Sequence, residues 1–246
     1  MHMRESALAD TGRNFGLSGA ALKWIAMITM LIDHIGAVVM EYGLYYQGGA
    51  ETFRRLLDSG NGQWLYTFQR LMRMVGRPSF LLYSFLLVEG FFHTRSRKRY
   101  TFQMLLFALI SEIPFDLAAS NRWFYLGYQN VFFEFLIGLT VLWGMEQAVI
   151  FGKTPLTVEA GKIFAVALGC MAAVFIQADY DYIGIIIIAA FYEFHASRAG
   201  RSLSAAVLGG LETLDLNFGI GALAAIPIWF YNGKRGNQRF KYLFYW

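Results

Sequence analysis

Asp33 and His34 stand side by side inside the apolar run TMLIDHIGAVVM, and Arg77, Glu89, Glu112, Asp116 and Glu134 are set into similar surroundings. An imidazole titrates near neutral pH, so His34 can act as a base, hold a structural hydrogen bond or relay protons. Adjacent helical residues point about 100° apart, so Asp33 and His34 do not face each other. A carboxylate that orients the imidazole has to come from another helix. Glu112 and Asp116 suit that task, because an i,i+4 pair shares one helix face. Pro114 lies between them and frees the Ile110 carbonyl, which makes SEIPFD a bent helix with carboxylates at the bend. Each group also has a plainer reading. Arg77 can neutralise Asp33 or Glu112, Glu89 can pair with Arg95 or Lys98, and Glu134 can be a hydrogen-bond partner within a bundle. Asp179 and Asp181 read as surface or capping residues, and His93 and His195 as interfacial ones.

The elements that carry these residues are membrane spans. Of the 246 residues 57% are hydrophobic and only 15% charged, against about 25% charged in a typical soluble domain. Mean hydropathy is +0.42, and the 17% aromatic content suits interfacial belts. Spans are expected near 20–40, 76–92, 101–119, 131–150, 162–178, 182–195, 203–214 and 216–231. The segment 52–75 is too polar to span and reads as a loop followed by an amphipathic interfacial helix, with Trp64, Tyr66 and Phe68 set against Arg70 and Arg73. The expectation is an all-α, polytopic transmembrane bundle of about eight spans forming one domain over 1–246. Cys170, the single cysteine, excludes an intramolecular disulfide framework. No cleavable signal pattern precedes the first span. No metal-ligand spacing, G-x-S-x-G or phosphate-loop motif occurs.

Topology follows from Lys and Arg in short loops. HTRSRKRY (93–100), FGKTPLTVEAGK (151–162), SRAGR (197–201) and NGKRGNQRFK (232–241) are basic and alternate with the acidic connections QADYD and LETLD. Eight spans put the basic loops on the cytoplasmic side with both termini, Arg4 and Arg13 included. The segment 41–75, with Arg54, Arg55, Arg70 and Arg73, is the exception. An ionisable side chain at membrane depth costs at least ~2.5–3.5 kcal/mol and so marks a functional site by default. In this topology Asp33, His34, Arg77, Glu112, Asp116 and Glu134 share the outer half, as one polar chamber, while Glu89 lies near the inner end. The basic loops either set topology alone or bind a phosphate-rich cytoplasmic molecule. A pI near 9.1 does not point to nucleic acid, because the charge sits in membrane loops.

The segments LKWIAMITMLIDHIG (22–36), VGRPSFLLYSFLLVEGFFHTRSRKRY (75–100), LLFALISEIPFDLA (105–118), ADYDYIGI (178–185) and AAIPIWFYNGKRG (224–236) resemble the TraX family of bacterial membrane proteins. They follow the chain in order, and ISEIPFD and YNGKRG are the specific signals. The resemblance implies a multi-pass acyltransferase of the bacterial cytoplasmic membrane that draws on cytoplasmic acetyl-CoA; the family's namesake N-acetylates pilin. It implies functional roles for Asp33, His34, Arg77, Glu89, Glu112, Asp116, Asn232, Lys234 and Arg235. Two departures stand out. Pro78 follows Arg77 directly, with Leu81 where the family carries its proline. The family also continues past KYLFYW into a Pro-x-His motif and a final helix, which this sequence, ending at Trp246, is expected to lack.

The mechanism so implied places the acetyl-CoA phosphates near Lys98, Arg99, Lys234 and Arg235. His34, oriented by Glu112 or Asp116, serves as general base toward an amine or hydroxyl acceptor, such as a pilin-like N-terminus, a glycan or a lipid. Arg77 or a backbone N–H steadies the oxyanion, and an acyl-His intermediate is the variant. The competing class is a proton-coupled transporter or flippase that uses Asp33, His34, Glu112 and Asp116 as a relay. A non-catalytic assembly scaffold is the third.

Overall fold

The computed structural model describes residues 16–46, 49–214 and 218–237. Arg4, Arg13, Asp215 and the KYLFYW stretch lie outside the described residues. The architecture is all-α. Helix α1 (Gly19–His34) continues in wider π turns over Ile35–Tyr46. Then come α2 (Gly49–Asp58), α3 (Gly60–Gly76), α4 (Pro78–His93), α5 (Arg97–Ser120), α6 (Val131–Phe151), α7 (Pro155–Ile176), α8 (Asp181–Glu193) and α9 (Arg198–Glu212). A 3₁₀ turn, Ile220–Ala224, leads into the short α10 (Ala225–Trp229).

Polar caps start the helices where the apolar runs begin. Ser18, Ser96 and Ser197 accept from the backbone N–H groups of Ala21, Arg99 and Gly200. Thr154 and Thr157 bond reciprocally at the start of α7, with Pro155 at its first position. Among the described residues five helical stretches are long and apolar enough to cross a bilayer: Gly19–Glu41, Gly60–His93, Arg97–Ser120, Val131–Phe151 and Pro155–Ile176. The chain is a polytopic helical membrane protein.

Two expectations change. The region 52–58 is helix α2 rather than loop, with a Glu51–Arg55 ion pair of 2.6 Å along it. Of the candidate spans at 182–195, 203–214 and 216–231, the first two are already short or ambiguous in the sequence, and the helices found there are short. At 13 residues α8 is about 20 Å long, less than a ~30 Å hydrocarbon core. The last segment breaks because Gly219 takes φ +71° and Pro227 cannot donate within a helix.

Helix α4 is the pillar of the bundle. Phe80, Leu81, Leu82, Phe85, Leu87, Val88 and Phe91 are all buried, on every side of the helix. By contrast α5 buries only Ala108 and Asp116, and α7 only the small residues Gly169 and Ala173. Helices hydrophobic on their outer faces in this way are lipid-facing walls.

Helix α3 docks in the reverse sense of a water-soluble amphipathic helix. Trp64, Phe68, Leu71 and Val75 face outward. Its polar stripe meets α1 and the π turns that continue it: Gln69 Nε2 donates to Glu41 Oε2 at 2.7 Å, and Arg73 Nη1 to Asp33 Oδ2 at 2.6 Å. The two helices touch at Gly76, where a Cβ would stand 2.1 Å from the Asp33 Cβ. Small residues at such crossings let helices approach closely.

The last described segment closes onto the first. Gly19 N and Ala20 N, which α1 cannot satisfy internally, donate to the Lys234 and Arg235 carbonyls at 2.8 and 3.0 Å. Leu17 and Tyr231 form a parallel bridge beside them.

Candidate functional site

Polar side chains gather at both ends of α4. Arg77 precedes its first turn and Glu89 lies near its last. The spacing along the sequence puts the two groups about 18 Å apart along the helix axis.

At the Arg77 end, His34 is exposed, and its Nδ1 lies 2.9 Å from the Met30 carbonyl oxygen. A carbonyl only accepts, so Nδ1 carries the proton and neutral His34 keeps its lone pair on Nε2. Asp33, on the neighbouring face, is held by Arg73 and lies within electrostatic reach of Arg77 and His34.

Two loops complete this end. Gln129 N donates to the Gln177 carbonyl at 3.0 Å, fastening the α5–α6 loop to the α7–α8 loop. That contact sets the Tyr128 hydroxyl on the Asp179 carboxylate, to which it donates. Burial pushes the Asp179 carboxyl above its ordinary range, against the opposing pull of Tyr128, Arg77, His34 and Arg73. Burial, reinforced by the Asp179 charge, likewise pushes the Tyr128 phenol well up. A cleft of about 390 Å³ opens here, with Arg73, Arg77, Tyr128, Asp179, Tyr180 and Glu212 among its walls. Tyr180 is fixed by stacking on Phe80, ring centroids 3.5 Å apart.

The hydrogen-bond partners of Glu112 and Asp116 among the described residues do not include His34. The Asn130 side-chain amide donates to Glu112 Oε2 and to the Ala108 carbonyl, and Asn130 N reaches the same carboxylate at 3.3 Å. Asp116 Oδ2 accepts from Tyr125 N at 2.7 Å. The carboxylates on either side of Pro114 therefore hold the loop that carries Tyr128. The two pairs, Asp33 with His34 and Glu112 with Asp116, form no continuous line of hydrogen bonds among the described residues. Glu134 is fully buried in the first turn of α6. Its Oε1 lies against Gly184 of α8.

At the other end Glu89 takes partners other than Arg95 or Lys98. Tyr231 Oη donates to Glu89 Oε2 at 2.9 Å, and His195 Nε2 stands 2.8 Å from Oε1. Arg201 approaches to 4.0 Å. This buried carboxylate ties α4, the α8–α9 connection, α9 and the C-terminal segment together. Lys98 and Arg99, which follow α4 in the chain, and Lys234 and Arg235, which follow Tyr231, are exposed cations, and such groups fit phosphate oxygens. Asn232 shapes the loop: its side chain donates to the Gly16 carbonyl at 3.2 Å and accepts from Lys234 N at 2.9 Å. Gly236, at φ +80°, allows the chain to pass Ser18, whose Oγ would lie 2.3 Å from a Cβ.

Arg73, Tyr128, Asp179, Glu212 and His195 are not conspicuous as site residues in the sequence. Asp179 does lie in ADYDYIGI, a segment that carries the family resemblance, and this is the one available signal for it.

No solved structure matches the chain. A curated relative, the "Probable fimbrial assembly protein FimC, serogroup H1" of Dichelobacter nodosus, is 27% identical over 254 residues, spanning 95% of this chain and 92% of the relative. The family model described as TraX protein matches residues 18–246, and the chain belongs to the TraX family.

Proposed function

We propose that the chain is an acetyltransferase of the bacterial cytoplasmic membrane, a single polytopic domain with the basic loops and both termini inside. The observation that carries the reading is the 2.9 Å contact of His34 Nδ1 with the Met30 carbonyl, which leaves Nε2 as the nitrogen that can accept a proton. Membership of a family whose namesake acetylates pilin supports the chemistry, and the name of the curated relative, a fimbrial assembly protein, agrees with a pilus-type acceptor.

Acetyl-CoA, as co-substrate, supplies an acetyl thioester. Lys98, Arg99, Lys234 and Arg235 bind its phosphates from the cytoplasm, while Glu89 and Asn232 hold the loop that presents the last two. At the far end of α4, His34 Nε2 takes the proton of the acceptor's N–H or O–H as the new bond to the acetyl carbon forms. Arg77 faces the oxyanion that develops. The proton held on His34 then passes to the departing thiolate. Asp33 and Arg73 fix the helix turn on which His34 sits, and Glu112 and Asp116 position the facing loop.

The test is acetyl transfer from labelled acetyl-CoA by purified protein. His34→Ala is expected to lose about 10²–10⁴-fold in rate with an unchanged melting temperature. Wild-type turnover in that variant would sink the assignment.

A further inference from the structure

The cleft carries more negative charge than a single base requires. Three carboxylates, Asp179, Asp181 and Glu212, line it with two guanidinium groups, Arg73 and Arg77. Arg73 is already committed to Asp33. Counting that fourth carboxylate, four acids face two cations, an excess of two negative charges at full ionisation. Glu212 Oε2 and Arg77 Nε are buried without a hydrogen-bond partner among the described residues. Behind the first turn of α8, fully buried Glu134 adds a further acid. The rings of Tyr128, Tyr180 and Tyr182 complete the walls. Carboxylates set among aromatic rings suit an alkylammonium, whereas a hydroxyl acceptor brings no charge to offset them.

An amine acceptor arrives at neutral pH as R–NH₃⁺, which has no lone pair. It must lose two protons to become an amide, and His34 accounts for one. Resting on the acetyl-transfer reading, we propose that Asp179, with Glu212, binds the ammonium group of the acceptor and that Asp179 takes its first proton. The cleft thereby selects a primary amine over a hydroxyl. In the first step R–NH₃⁺ and the Asp179 carboxylate become R–NH₂ and the carboxylic acid. The nitrogen lone pair then forms the C–N bond as the C–S bond breaks. His34 Nε2 takes the second proton and passes it to the thiolate. Asp179 returns the first to water, so one proton is released per turnover.

The groups that face Asp179 fit this role. Tyr128 donates to it, and Arg77, His34 and Arg73 lie within electrostatic reach. Glu212 faces it from α9 and Glu134 from α6. Burial raises the carboxyl and so narrows its gap to an alkylammonium.

The test begins with binding, which needs no turnover. Calorimetry at pH 7 compares leucinamide with its N-acetyl derivative and with the analogue that has a hydroxyl in place of the amine. Wild-type protein is expected to prefer the amine by about tenfold or more. Asp179→Asn should reduce that preference to about twofold, and Asp179→Glu should restore part of it. Equal affinity of the wild-type chain for the three probes overturns the proposal. In transfer assays Asp179→Asn should move the rising limb of the kcat/KM profile upward by about one pH unit, because the amine must then arrive neutral. Transfer to methoxyamine, which is neutral at pH 7, should stay within about threefold. An unmoved profile, or equal losses with both acceptors, overturns the proton role. An intact amine preference in a protein that transfers no acetyl group would uphold the ammonium site and fault the transferase reading instead.

Discussion

Arg73 Nη1 donates to Asp33 Oδ2 over 2.6 Å, fastening α3 to α1 one residue before His34. Both side chains are about four-fifths buried. Removing one partner strands the other's charge, which costs about 3–5 kcal/mol for a buried pair. Arg73→Met should therefore lower the melting temperature in detergent sharply. The double variant Arg73→Met/Asp33→Leu should recover most of the loss, and a double variant as unstable as the single one would contradict the pairing.

Gly76 is a second determinant of the same junction. A methyl group there would stand 2.1 Å from the Asp33 Cβ, so one helix must shift. Overpacking of this kind costs about 1–3 kcal/mol. Gly76→Ala should lower thermal stability by that amount and reduce acetyl transfer per folded molecule. A fully active variant would show that the position of Asp33 does not matter to His34.

Glu112 and Asn130 should act as one unit. Glu112→Ala leaves the buried Asn130 donors short of an acceptor, at a cost of about 1–3 kcal/mol. Asn130→Ala should cost a similar amount, and the double variant little more than either alone. A double-variant cycle read by thermal denaturation measures the coupling, and simple additivity would count against the contact.

The folded state should also respond to pH through Asp179. Its carboxyl binds a proton more tightly in the folded chain than at the ordinary value of 3.8. Between that value and the raised one, the folded chain carries more protons than the unfolded chain, so stability falls as pH rises. Melting temperatures of the wild type and Asp179→Asn across that window check the sign. The variant should show a shallower decline, and identical slopes would exclude Asp179 as their source.

Much of this was legible in the sequence because an ionisable residue among apolar neighbours is conspicuous. His34, Arg77 and Glu89 stand out for that reason, and the long helices follow from run length. Arg73 and Asp179 lie in polar stretches, where charge is unremarkable until a partner is known. Their partners, 40 and 51 residues distant, depend on how helices and loops pack. The link from Glu89 to Tyr231 crosses 142 residues and leaves no local pattern. The short helices α8 and α9 are ambiguous in the sequence for another reason: apolar content marks burial, whether the surroundings are lipid or protein.

The junction of Gly19 and Ala20 with the carbonyls of Lys234 and Arg235 bears on how the chain is made. The first helix leaves the ribosome early, yet the groups that satisfy its opening turn are synthesised more than 200 residues later. At about 5–20 residues per second that interval is roughly 10–45 s. Until it has passed, water or another acceptor must serve those N–H groups, and the basic loop can take its final shape only once residues 234 and 235 have been made.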